Sequence, residues 1–122
     1  MAEKVVCLCG SARFIDACYE AYRAEAVKGN IVLTYLPDRD SWNGERKWHN
    51  NTELRLRLNA LHLARIEIAD EILVLNVGGY VGESTKKEIS YARELGKKVR
   101  WLEYDVPAWK KILHRVRRQW KI

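Results

Sequence analysis

Strand-sized apolar runs alternate with helical stripes along the whole chain, and this alternation limits the fold more than any other feature. Val5–Cys9 is a short apolar run ended by Gly10. Ser11 is placed to cap a helix whose small or apolar residues Phe14, Ala17, Cys18, Ala21, Tyr22 and Ala24 follow the 3.6 period, with Gly29 and Asn30 as its stop. Residues 31–36 form a second strand ended by Pro37, and 37–48 lack periodicity and read as a loop. Leu54, Leu58, Leu61, Ala64 and Ile68 mark a long helix. Residues 71–76 are almost continuously apolar, as expected of a strand covered on both faces. A glycine-rich turn at 77–82 precedes a helix over about 85–95, which Gly96 stops; a fourth strand follows at 98–102, and Pro107 opens a terminal helix. The order predicts a single Rossmann-like three-layer α/β domain over residues 1–122, with a parallel sheet of four to five strands and helices on both faces. A chain of 122 residues leaves no room for a second core.

Hydrophobic residues at 48% and charged residues at 31% exclude disordered and fibrous classes. No apolar run approaches the roughly 18 residues of a membrane span, and residues 1–4 lead into a strand without a signal-peptide pattern. A cytoplasmic location is expected. Cys7 and Cys9 are separated by one residue and Cys18 lies on a helical stripe. That is no zinc spacing, so the three read as reduced, buried thiols, and no metal is expected. The net charge of +6 has a local origin. All 16 acidic residues and a matching 16 basic residues lie in 1–109, and the excess comes from Lys110, Lys111, Arg115, Arg117, Arg118 and Lys121. Residues 110–122, with Trp109 just before them, interleave these with Ile112, Leu113, Val116 and Trp120 at helical spacing, a basic amphipathic helix that packs on the body in preference to serving nucleic acid.

In open parallel sheets ligands bind beyond the carboxyl ends of the strands. Two loops qualify, Cys9-Gly-Ser-Ala-Arg13 and the segment 76–85. Glycine lets backbone N–H groups approach an anion, a helix start adds free donors, and Arg13 adds a bidentate contact. Thr85-Lys-Lys-Glu88 fits a capping box, which would turn the Glu88 carboxylate onto its own backbone. The alternative sets that carboxylate at the ligand-binding edge, one turn after Ser84, where it could trap an oxocarbenium-like sugar carbon. His62, between Leu58 and Ile66, is either a core histidine or a proton donor to a leaving base. Trp42, Trp48 and Tyr80 could stack on a base, Trp48 equally serving as a packing anchor, while His49, Asn50 and Asn51 suit a helix cap.

The segment Asn76-Val-Gly-Gly-Tyr-Val-Gly-Glu-Ser-Thr-Lys-Lys-Glu-Ile-Ser-Tyr-Ala92 resembles the strand–loop–helix of the nucleoside 2-deoxyribosyltransferase-like superfamily. Cys9-Gly-Ser-Ala-Arg13 is similar to the first loop of its deoxynucleoside 5′-monophosphate N-glycosidase branch, and Ala69-Asp70 before the third strand is also typical. The order of elements agrees over most of residues 4–103. The resemblance implies Glu88 as nucleophile and Gly10, Ser11 and Arg13 as the sugar or phosphate cradle. It adds Ser84 and Thr85 as hydroxyl donors within a pocket that also takes in Asn76, Gly79, Tyr80, Gly82 and Trp48. The chain departs from the family at Ser90, where glycine is common, and at Cys7, where an aromatic is expected. It departs again at His62, which stands near the place of an acidic residue that assists the leaving base. The loop 78–88 also looks like that of cytokinin-activating phosphoribohydrolases, which cleave the same kind of bond.

The implied activity is N-glycosidase or deoxyribosyltransferase chemistry on a (deoxy)nucleoside or its 5′-monophosphate, without metal or organic cofactor. The resemblance also implies a homodimer or higher oligomer whose neighbouring subunit completes the pocket. The rival readings are a nucleotide-binding sensor or accessory module without catalysis, and a nucleic-acid binder using the basic terminal helix.

Overall fold

The computed structural model describes residues 3–35 and 52–103. In chain order the elements are β1 (Val5–Cys9), α1 (Ile15–Val27), β2 (Ile31–Leu33), α2 (Thr52–Ile68), β3 (Glu71–Val74), a 3-10 turn at Val77–Gly79, α3 (Glu83–Glu94) and β4 (Lys98–Trp101). The four strands form one parallel sheet in the order β2-β1-β3-β4. The expected α/β architecture with four strands is therefore present. The loop at 37–48 with Trp42 and Trp48, the residues His49, Asn50 and Asn51, and the basic segment 110–122 lie outside the described residues.

The central strands explain their own composition. Along β1, Cys7 and Cys9 point to one face and Val6 and Leu8 to the other; along β3 and the residue after it, Ile72 and Val74 oppose Leu73 and Leu75 in the same way. Cys18 and Ala21 of α1 close over the face with Val6 and Leu8, while Ile66 of α2 and Ile89 and Ala92 of α3 close over the other. Both faces of β1 and β3 are thus buried, which requires a nearly unbroken apolar run. Edge strands β2 and β4 are only partly covered. Asp70 pins the entry to β1, its Oδ2 accepting from Val5 N at 2.8 Å and its own N–H donating to Val5 O at 2.8 Å.

Several local expectations shift. Ser11 does not cap α1: Phe14 is the N-cap residue, and Ser11 forms a turn before it, its carbonyl accepting from Phe14 N at 3.0 Å. On α1 the inward stripe is Cys18, Ala21 and Glu25, whereas Tyr22 and Ala24 are exposed, because the helix turns a buried carboxylate toward the sheet. On α2 the buried residues are His62 and Ile66, and Leu61 and Ile68 face outward. α3 starts at Glu83 with Gly82 as its N-cap, two residues ahead of Thr85. Gly29 and Gly96, at φ of 91° and 72°, end α1 and α3 in the left-handed region as expected. Among the described residues no helix is long and apolar enough to cross a membrane.

Candidate active site

The chain direction of the crossovers reverses between β1 and β3, since β1 leads away to β2 and β3 leads away to β4. This is the switch point where an open parallel sheet leaves a crevice at its carboxyl edge. Gly10 follows β1 there, and the 76–82 segment follows β3. The chain packs closely there: a Cβ on Gly10 would stand 2.9 Å from the Leu75 Cβ, so the residue after β3 requires glycine at this place.

α2 and α3 bring two side chains to the same edge. His62 Nε2 lies 3.3 Å from Glu88 Oε1, with the two side chains 6% and 17% exposed. The capping box is therefore not formed: Thr85 lies within the first turn of α3, and the helix start has no side-chain cap. Glu88, one turn further on, extends toward the sheet. Its Oε2 and His62 Nδ1 are buried without a hydrogen-bond partner among the described residues. Burial pushes the Glu88 carboxyl up to about 7, although His62 pulls the other way.

Beneath His62 lie the two β1 thiols. Cys9 Sγ is 3.5 Å and Cys7 Sγ 4.0 Å from His62 Nε2. Cys9 beside it and His62 lower the Cys7 thiol to about 6 against the effect of burial, while Cys7 and burial push the Cys9 thiol up. Tyr35, just past β2, meets the His62 ring edge-on at 5.4 Å between centroids, and its hydroxyl donates to Gly10 O. Burial raises its phenol, which stays protonated.

The second loop is largely committed to itself. Asn76 is buried, its Nδ2 donating to Glu103 O at 2.9 Å and its Oδ1 accepting from Glu103 N at 2.9 Å. Gly78 N donates to Glu103 Oε2 at 2.6 Å, and Gly79 N to Asn76 O at 2.8 Å. The Asn76 side chain and Gly78 N thereby tie the end of β3 to the residues after β4, and Gly79 closes the turn between them. Arg13 and Tyr80 do come together, the guanidinium 4.7 Å above the Tyr80 ring, with Phe14 edge-on to the same ring at 5.8 Å. Gly82 sits under that ring, its would-be Cβ 3.4 Å from the Tyr80 hydroxyl. Ser84 is exposed on the first turn of α3, and Thr85 is buried.

The chain matches no protein-family model, no curated protein and no solved structure.

Sequence reasoning brought Glu88 and His62 to one site but missed Cys7, Cys9, Tyr35 and Glu103. Strand alternation does place Cys7 and Cys9 on one face, a usable signal. Nothing local indicates that α2, fifty-odd residues later, lays His62 on that face. Chemically the site offers a poised carboxylate, an imidazole in contact with it, an uncapped helix start and an exposed guanidinium at the rim.

Proposed function

We propose that this protein cleaves the N-glycosidic bond of a (deoxy)nucleoside or its 5′-monophosphate, with Glu88 as nucleophile. One observation carries the reading: the Glu88 carboxylate is withdrawn from main-chain capping and held at the switch point with one oxygen unpartnered among the described residues. A native fold rarely keeps such a group without a use. The resemblance of the Glu88-Ile-Ser-Tyr-Ala92 segment to the catalytic helix of the deoxyribosyltransferase-like superfamily points the same way.

In this reading the ionised carboxylate attacks the anomeric carbon as the base departs, and water or a second base resolves the glycosyl-enzyme. His62 contacts the nucleophile itself, which suits holding and ionising Glu88 better than protonating a base on the far side of the sugar. The α3 helix start, with Ser84, and the Arg13–Tyr80 pair are then the groups for the sugar hydroxyls and any 5′-phosphate.

The test is base release from a panel of ribo- and deoxyribonucleosides and their 5′-monophosphates, followed chromatographically. Wild type is expected to liberate base from at least one of them, and Glu88→Gln to abolish it while keeping the fold. Undiminished turnover in Glu88→Gln removes the nucleophile. Tight binding by wild type without release would leave a nucleotide-binding module in its place.

A further inference from the structure

His62 Nε2 has one site for one partner, yet three ligand-type atoms converge on it: Glu88 Oε1 at 3.3 Å, Cys9 Sγ at 3.5 Å and Cys7 Sγ at 4.0 Å. Ordinary hydrogen bonding satisfies one of these and leaves two sharing the same nitrogen. The donor atoms of Cys7, Cys9 and His62 all lie within 4.8 Å of one another, and all three residues are buried. Zinc–ligand bond lengths set the edges of a tetrahedral site at about 3.5 Å for sulfur to nitrogen, about 3.8 Å for sulfur to sulfur and about 3.3 Å for nitrogen to oxygen. The observed separations from Nε2 fall within about half an ångström of these.

We propose that Cys7, Cys9 and His62, whose donor atoms are already gathered, form a Zn2+ site at the β1–β3 switch point, with Glu88, 3.3 Å from the His62 nitrogen, turning in to complete the tetrahedron. Two observations besides the clustering support it. The Oε2 atom of Glu88 is buried without a partner among the described residues, so this carboxylate is unfinished as it stands. The donors also come from regular elements, with strand alternation aligning Cys7 and Cys9, α2 supplying His62 and α3 supplying Glu88. Such placement pre-organises a site without loop ordering. Two thiolates with an imidazole select zinc over the hard cations Mg2+ and Ca2+. Binding sends the two thiol protons to solvent, His62 coordinates as the neutral imidazole, and Glu88 supplies the fourth bond as carboxylate. Where Glu88 is also the glycosidic nucleophile, which rests on the function proposed above, the metal-loaded form is the inactive one.

The test uses full-length protein stripped with a chelator and kept reduced. Zn2+ is titrated against a chromophoric chelator, and Co2+ serves as the spectroscopic stand-in. One equivalent per chain is expected, with a near-ultraviolet thiolate-to-cobalt band and the intense visible bands of tetrahedral Co2+. Cys7→Ser and Cys9→Ser should each weaken binding by at least about 100-fold, since loss of an outer-shell partner alone costs up to that much. Glu88→Gln should weaken it while keeping the thiolate band. Cys18→Ser is the control, because that thiol sits against Thr34 Oγ1 at 3.4 Å on the opposite face of the sheet, and its affinity should match wild type. Weak or non-stoichiometric binding, or a cobalt spectrum without thiolate bands, overturns the site. Should a serine variant not fold, the wild-type cobalt spectrum decides alone. Base release by metal-free protein is measured separately, so failure of the metal site and failure of the glycosidase reading are distinguishable.

Discussion

Glu88 keeps a carboxylate oxygen out of water with no donor to meet it among the described residues, and an unmet buried acceptor costs folding free energy of about 1–3 kcal/mol. A residue retained for stability would not be arranged this way; one retained for chemistry would. Glu88→Met, similar in volume, should therefore leave stability unchanged or raise it by about 1 kcal/mol in urea melts with an unaltered m-value. A loss of more than that would return Glu88 to a structural role. Gly10 is the opposite case. Its missing side chain is dictated by Leu75, so Gly10→Ala should cost about 1–3 kcal/mol by overpacking. The sequence alone left both readings of Glu88 open, because the capping box and the outward carboxylate share one pattern. Only the register of α3 separates them, and that register depends on Gly82, three residues before the Thr85 of the pattern, taking the N-cap place.

At the scale of elements, the sheet was legible because burial on both faces writes itself into β1 and β3 as apolar runs, and because Gly29 and Gly96 punctuate the helices. Strand and helix ends were less so. β2 stops at Leu33 because the next two residues turn over the end of β1, where Thr34 Oγ1 donates to Tyr35 O at 2.9 Å and Tyr35 reaches Gly10. The inward face of α2 was misread for a simple reason: its anchor positions include a histidine, which an apolar periodicity discounts. Asn76 shows a further limit. Its partner Glu103 is 27 residues away, and no local pattern marks the pair. Asn76→Ala should cost about 2 kcal/mol for its two hydrogen bonds. It should also speed amide exchange at Glu103, whose N–H donates to Asn76 Oδ1. Exchange and stability both like wild type would show that the loop stands without this clamp.

Across the whole molecule, candidate chemistry gathers at the carboxyl ends of the strands and a charge cluster closes the other end. Glu25 of α1, 2% exposed, accepts from Lys28 Nζ at 2.9 Å and from the Arg100 guanidinium. Arg100 Nε also donates to Glu71 Oε1 at 2.9 Å, so one side chain on β4 joins α1 to β3. The overall excess of positive charge in the sequence conceals this pairing, which is balanced within itself. Burial alone would raise the Glu25 carboxyl, but its bonds to Arg100 and Lys28 outweigh that and hold it below its ordinary value. A carboxyl depressed in the folded state contributes stability that is complete above its unfolded value near about 4.3 and is lost as pH falls through the folded one. Removing Arg100 leaves Lys28 and Asn30 against burial, so the carboxyl rises from its depressed value. Arg100→Met should thus cost about 1–3 kcal/mol near neutral pH, for the charged hydrogen bonds lost. The deficit should shrink steadily as urea melts are repeated from pH 7 toward pH 4. If it stayed constant over that range, the loss would be one of packing by the arginine stem, and Glu25 would owe its ionisation to Lys28 alone.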